Sequence, residues 1–411
     1  MTRPRPAHIA MLSIPAVSHV YPHLEVIREL VRRGHRVSYA NDPRVAELVT
    51  GTGAELVPYT SILPESDWPE TPIAAMDLFL DEAIQVLPQL GPHFTSDRPD
   101  LYLSDIAGAP FRVLAETQGV GLVQLSPASV AWEGYEDEVG AWLRSQPGAD
   151  AYQRKAKAWL TATGAVTTDP DAFLGRPPRS IAVIPRAMQP DAERVDASRY
   201  SFVGACLGAR DSADAWQRPE AAEGRRLLLV SLGSAFTDHP DFYRTCLAAF
   251  GDLPDWYVVM QIGKQTDPAL LGEIPGNVEV HSWVPQPAVL AHADAFVTHA
   301  GMGGSKEGLH HGVPMVAVPQ ATDQFMNADR LVSLGVARRL DSDSVSPAVL
   351  RDALMDVAED PAVRERLVAL RAEARREGGT RRAADLVEAE LPLSRAADGS
   401  VRLADGGRPA I

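Results

Sequence analysis

The stretch from Trp283 to Gln324 constrains the chain more than any other. It opens Trp283-Val284-Pro285-Gln286 and, after an apolar run, reaches His299-Ala300-Gly301-Met302-Gly303-Gly304-Ser305-Lys306-Glu307. It closes at Pro319-Gln320-Ala321-Thr322-Asp323-Gln324. Ala295 to Thr298 reads as a short buried strand, and the glycines after it let the backbone turn sharply into a helix expected to start near Gly304. A helix start presents free N–H groups and a partial positive charge, so it can hold a phosphate. His299 and the Ser305 hydroxyl can add donors to the same anion. Glu307, one helical step further, can accept hydrogen bonds from ribose hydroxyls. Trp283 offers a flat face for a base, and Asp323 with Gln324, after a second apolar strand from Met315 to Val318, can bind sugar hydroxyls. These parts together describe a nucleotide-sugar site.

In this order and spacing, Trp-Val-Pro-Gln, His-x-Gly-x-Gly-Gly-Ser-x-Glu and Asp-Gln resemble the donor-binding signature of family 1 glycosyltransferases. The segments Ser231-Leu232-Gly233-Ser234-Ala235-Phe236-Thr237 and Phe242-Tyr243-Arg244-Thr245-Cys246 resemble the bacterial macrolide glycosyltransferases, the oleandomycin glucosyltransferases above all. The resemblance runs from His8 to about Leu391. It implies an α/β chain of the GT-B fold, two facing Rossmann-like doubly wound parallel-sheet domains with the cleft between them. It further implies that Ser234 and Thr237 face the donor's phosphates. Val284 and Gln286 accompany Trp283 at the base, and Gly301, Gly303 and Gly304 lie at the diphosphate.

Length and composition agree with this. A chain of 411 residues can bury two separate cores. The excess of 54 acidic over 39 basic residues argues against general nucleic-acid binding, which needs cationic patches to neutralise phosphates. The two cysteines, Cys206 and Cys246, have no metal-ligand spacing and suit a reducing compartment. No apolar run reaches the length of a membrane span. The short apolar run Ile9 to Val17, interrupted by Pro15, reads as a first strand rather than a leader. The expectation is a cytoplasmic protein that engages neither nucleic acid nor membrane. Its oligomeric state stays open, a homodimer included.

From the N-terminus, Ile9 to Ile14 reads as a strand and Pro15 to Tyr21 as a loop. Pro22 is expected to open a helix carrying Leu24, Ile27, Leu30 and Val31 on one face, with Arg36 to Ala40 as the next strand. This is the opening unit of a doubly wound sheet, in which ligands bind at the carboxyl ends of the strands. His19 lies in that first loop, and Asp105 begins the loop after the Leu101 to Ser104 strand. A carboxylate there can accept the Nδ1–H of an imidazole, fix its tautomer and stabilise the imidazolium. The resemblance implies that His19 is the general base and Asp105 its partner. The family loop usually reads His-Gly-His-Val-Asn-Pro; here Ser18 stands for a glycine and Tyr21 for an asparagine. Serine adopts positive φ less readily than glycine, so a loop that needs it would be re-shaped.

Helical spacing within Ile62 to Leu90 reads as a core helix. The resemblance implies that this region and Ser126 to Trp132 help line a deep acceptor pocket, with Tyr21, Met76, Phe79, Ser129 and Trp132 as acceptor-binding candidates. Glu136, Asp137 and Glu138 read as a solvated acidic surface. Asp169-Pro170-Asp171 and Asp341-Ser342-Asp343 resemble the cation-holding Asp-x-Asp of other glycosyltransferases, yet turn and cap chemistry accounts for both, and no metal or cofactor is expected.

The expected organisation is an acceptor domain over 1–207, a polar linker over 208–224 and a nucleotide-sugar domain over 225–378. A helix over 379–393 then crosses back to the first domain, ahead of a loosely ordered tail over 394–411. The function expected is inverting transfer of glucose from UDP-glucose to a macrolide-like hydroxyl, inactivating an antibiotic. The alternatives are a TDP-deoxysugar donor, or a nucleotide-sugar binder without catalysis. Dinucleotide oxidoreductases and α/β-hydrolases are disfavoured because no strand leads into Gly-x-Gly-x-x-Gly and Gly-x-Ser-x-Gly is missing.

Overall fold

Two sheets, parallel throughout, organise the chain in a computed structural model that describes residues 6–64, 68–208, 215–234, 237–342 and 344–392. The first sheet contains β1 (His8–Leu12), β2 (Arg36–Asn41), β3 (Glu55–Pro58), β4 (Leu101–Ser104), β5 (Gly121–Ser126), β6 (Ser180–Ala182) and β7 (Tyr200–Phe202), in the order β3-β2-β1-β4-β5-β6-β7. The second contains β8 (Arg226–Ser231), β9 (Trp256–Gln261), β10 (Val278–His281), β11 (Ala295–Thr298), β12 (Met315–Ala317) and β13 (Ala337–Arg339), in the order β10-β9-β8-β11-β12-β13. The central strands are apolar without alternation because helices cover both faces. In β1, Ile9 and Met11 join Val20, Ile27 and Leu103 on one side, while Ala10 and Leu12 join Phe94, Tyr102 and Phe111 on the other.

The strands expected at Ile9 to Ile14, Arg36 to Ala40, Leu101 to Ser104, Ala295 to Thr298 and Met315 to Val318 form close to those bounds as β1, β2, β4, β11 and β12. The sequence signal for β13 is poor because Arg338 and Arg339 are exposed on a strand at the sheet's edge. One expected element is corrected. The first helix runs Val17–Arg32 with Pro22 inside it, instead of starting at Pro22. The amides of His19 and Val20 both donate to the Ala16 carbonyl, which closes the first turn three residues before the proline is reached. His19 therefore sits in a helix's first turn, not in a loop. Ser18 is exposed there and is not among the non-glycine residues with positive φ, so its position does not demand glycine.

The last helix, Gly379–Ala389, leaves the second sheet and packs on the first helix. Ala383, Ala384 and Val387 enter the first domain's core, and Arg33 and His35 donate to Glu388 at 2.6 and 3.0 Å. Part of the expected linker (209–214) and the expected tail (394–411) lie outside the described residues. No described helix is long and apolar enough to cross a membrane.

Candidate functional site

In each sheet the strand order reverses once, between β1 and β4 in the first and between β8 and β11 in the second. Loops leaving neighbouring strands at such a point diverge, which opens a crevice at their carboxyl ends. His19 follows β1 and Asp105 follows β4; Gly233 follows β8 and His299 follows β11. Both switch points thus carry candidate chemistry.

On the first sheet, His19 Nδ1 lies 2.9 Å from Asp105 Oδ2. A carboxylate only accepts, so Nδ1 carries the hydrogen and Nε2 is left with a lone pair. Asp105 is 1% exposed, and its other oxygen accepts the Ala107 amide at 2.7 Å. A buried polar network fixes the turn that delivers His19. The hydroxyls of Ser13 and Tyr39 are 2.8 Å apart, Asn41 Nδ2 donates to Ser13 Oγ, and the Tyr59 hydroxyl donates to the Ser13 carbonyl. His23, one turn beyond His19, is fully buried and neither ring nitrogen has a hydrogen-bond partner. Burial pushes its pKa down to about 3, with His19 and Lys306 adding to that effect against the Asp105 charge.

On the second sheet, the helix expected near Gly304 begins at Met302 and runs to His311. Its N-cap, Gly301, has no side-chain cap bond, and Ser305 supplies the first intrahelical amide, to the Gly301 carbonyl at 3.0 Å. The amides of Met302, Gly303 and Gly304 are therefore free to face an anion. A Cβ on Gly303 would meet nothing within 4 Å, so the space before that turn is open. Ser305 Oγ, Thr237 Oγ1 and His299 Nδ1 are buried without partners, three polar atoms that suit a polar ligand. The His299 ring is held between Gly233 and Gly301, where an added Cβ would come within 2.6 and 2.3 Å of it. Burial lowers its pKa to about 4 although Asp323 and the Ser231 main chain pull the other way, so at neutral pH it acts as a neutral donor.

Several expected partners meet. Gln286 Nε2 donates to Glu307 Oε2 at 2.6 Å, which fixes the carboxylate expected to meet a ribose. Trp283 is half exposed at the rim. Val284 is buried, and its amide donates to Gln261 Oε1. Asp323 stands at the N-cap position of the Gln324–Ser333 helix without a side-chain cap bond, and it accepts from Asn327 Nδ2 at 2.8 Å. Gln324 is buried and commits its oxygen to the Gln320 and Ala321 amides, so only its NH2 is left to meet a sugar. Ser234 is exposed, but Thr237 lies buried against Gly263 rather than in an open polar loop; Ala235 and Phe236 are outside the described residues.

The acceptor candidates lie on segments after β1, β3 and β5. Tyr21 is half-buried against the first domain's core, and Met76 packs on the cluster of Leu80, Ala83, Tyr152 and Trp159. Phe79 stacks at a tilt on Trp68 at 5.8 Å. Ser129 is half-buried, and its hydroxyl has no protein partner. Trp132 donates its indole N–H to Glu138 and sits edge-on to Tyr135. The acidic surface is ion-paired, Glu136 with Arg176 and Glu138 with Arg194. Asp169 caps a helix through the Ala172 amide, whereas the cap nearest Asp341 is Ser346; Asp343 is outside the described residues. No group of three or more His, Cys, Asp or Glu side chains among the described residues is arranged to hold a metal ion.

Sequence reasoning missed three residues here. Gln261 ends β9 and staples the two donor loops, giving its NH2 to Ser231 Oγ and the Gly233 carbonyl while accepting from Val284. A lone polar residue at the carboxyl end of an apolar strand was its signal. Ala300, buried beside His299, has φ of +60°, and Thr322 beside Asp323 has +53°. Non-glycine residues held there are strained and cluster at functional sites.

The chain is similar to known proteins along most of its length. Residues 201–373 match the family model for UDP-glucoronosyl and UDP-glucosyl transferases. An oleandomycin glycosyltransferase of Streptomyces antibioticus is 53% identical over 95% of this chain and 92% of its own. A demethyllactenocin mycarosyltransferase of Streptomyces fradiae is 32% identical over 94% of this chain and 87% of its own. The crystal structure of the glycotransferase of kitacinnamycin superposes with a TM-score of 0.87 at 52% identity, covering 95% of this chain and all of that one.

Proposed function

The chain belongs to the UDP-glucuronosyl and UDP-glucosyl transferase family, and from that premise we propose that it moves glucose from UDP-glucose to a hydroxyl of a macrolide-like natural product with inversion. Its two parallel-sheet domains have the GT-B architecture of the solved glycosyltransferases it resembles. The observation that carries the mechanism is the 2.9 Å contact between His19 and Asp105. His19 Nε2 takes the acceptor proton as the hydroxyl oxygen attacks the anomeric carbon. Asp105 stabilises the imidazolium that forms, and the bond to the diphosphate breaks on the opposite side. That single displacement inverts the carbon. The Met302, Gly303 and Gly304 amides, with His299, stabilise the charge gathering on the leaving diphosphate and make a metal unnecessary. Trp283 stacks on uracil, Glu307 binds ribose, and Asp323 with Gln324 meets the hexose. Glucosylation of an antibiotic in the cytoplasm would give self-resistance, a reading supported by the similarity to an oleandomycin enzyme.

A TDP-deoxysugar donor is the second reading, favoured by the similarity to a mycarosyltransferase. Against it stand the polar groups of Gln286, Asp323 and Gln324, which a deoxysugar would leave less well satisfied. Mass spectrometry of purified protein with UDP-glucose or TDP-sugars, a chelator and a macrolide panel separates the readings. The expected result is an acceptor one hexose heavier with UDP-glucose, absent for His19→Ala. UDP-glucose binding without any product would favour a non-catalytic binder, and no nucleotide binding would refute the donor site.

A further inference from the structure

Lys306 lies between Ser305 and Glu307, on the helix whose start forms the candidate phosphate site, yet it points away from solvent at 3% exposure. Its Nζ donates at 3.1 Å to the carbonyl of Val183, just past β6 in the first domain. Its charge also reaches His23 on the first helix, adding to the fall that burial imposes on that pKa, and Cys206 after β7, where it opposes the rise that burial imposes. A cation from the second domain is thus buried against the first, and its charge is felt at His23, one helical turn beyond His19.

Burying an ammonium costs several kcal/mol, and a cation near a helix N-terminus opposes the helix dipole. An apolar side chain of the same length would fill the space at lower cost. What the lysine alone provides is a directional bond across the cleft from the donor helix.

That bond is one of three on the same strip of main chain. Arg330 Nε donates to the Ala187 carbonyl at 2.7 Å, and Glu377 Oε1 accepts the Arg186 amide at 3.0 Å. Of these three, Lys306 is the one inside the donor motif. We infer that Lys306 is a positioning residue for transfer, a strut that fixes the donor helix against the first domain's main chain at Val183. It sets the line from acceptor oxygen to anomeric carbon to diphosphate without touching the nucleotide. This inference rests on the donor reading given above.

The test compares wild type with Lys306→Met and Lys306→Arg in UDP calorimetry, in steady-state kinetics with varied UDP-glucose, and in thermal melts. Misalignment remote from the reacting atoms lowers kcat about tenfold to a hundredfold, with UDP affinity changed less than about twofold, and the arginine restores part of the rate. Lys306→Gln, polar but one bond shorter and so unable to reach the Val183 carbonyl, gives the same split if the methionine variant does not fold. The inference fails alone if wild type binds UDP and Lys306→Met turns over at the wild-type rate. It also fails if UDP affinity falls as far as kcat/KM, since the lysine would then be a nucleotide ligand. Wild type that binds no UDP would instead remove the donor reading itself.

Discussion

Asp105 illustrates how little of a reactive residue's behaviour belongs to the residue itself. The carboxylate is buried, takes one hydrogen bond from its own loop and points the other oxygen at His19. Asparagine would keep the size but can present its NH2 to Nδ1, which would move the imidazole hydrogen to Nε2 and block proton uptake there. Asp105→Asn is therefore expected to lower kcat by about a hundredfold or more, the usual worth of a positioned base, while UDP affinity stays unchanged. Steady-state kinetics beside calorimetry checks this, and weakened UDP binding would count against it. Gly233 is the matching case across the cleft. Its φ of +83° and its contact with the His299 ring leave no room for a Cβ. Alanine there should cost about 1–2 kcal/mol in backbone strain alone. It should also displace His299, so the donor KM rises and the acceptor KM does not. Equal changes in both would show that the ring is not tied to the donor.

Among elements, those that write their own signal were legible and those defined by distant partners were not. The helix from Met302 was visible because glycines must precede it; His19 and Asp105 each follow a recognisable buried strand, and their pairing came from the family resemblance. The first helix was misplaced because Pro22 is a common helix opener. Here the preceding Ala16 carbonyl had already taken two amides, a fact of geometry that no residue type announces. Thr237 reads as a loop hydroxyl until Gly263 closes over it. Gln261 and Lys306 were hidden for the same reason, since their partners lie up to 123 residues away. The last helix is legible as a helix in its own sequence, but which sheet it covers is decided by Arg33 and His35 near the other end of the chain.

For the whole molecule, the joined domains bury titratable groups whose proton count differs between folded and unfolded chains, and that sets how stability depends on pH. Burial holds His23 near 3 and His299 near 4, against an ordinary 6.5. Below pH 6.5 the unfolded chain takes up protons at both sites that the folded chain refuses, so both lower stability as pH falls toward 4. His8, also lowered by burial, adds to the same side. Glu377, between the last two helices, opposes them. Burial raises it from 4.5 to about 7, so below pH 7 the folded chain holds a proton that the unfolded chain releases above 4.5. Its contribution is lost as pH rises through 7. Near pH 5, two histidines against one carboxyl leave about one net proton, or about 1.4 kcal/mol of stability lost per pH unit. Denaturant unfolding at pH steps from 8 to 5 should therefore show stability falling below 6.5. His23→Leu should flatten that slope. Glu377→Gln, which keeps an acceptor for the Arg186 amide without the buried charge, should steepen it and raise stability above pH 7. Three parallel curves would mean that these groups titrate alike in both states, and that the interface is wetter than its packing implies.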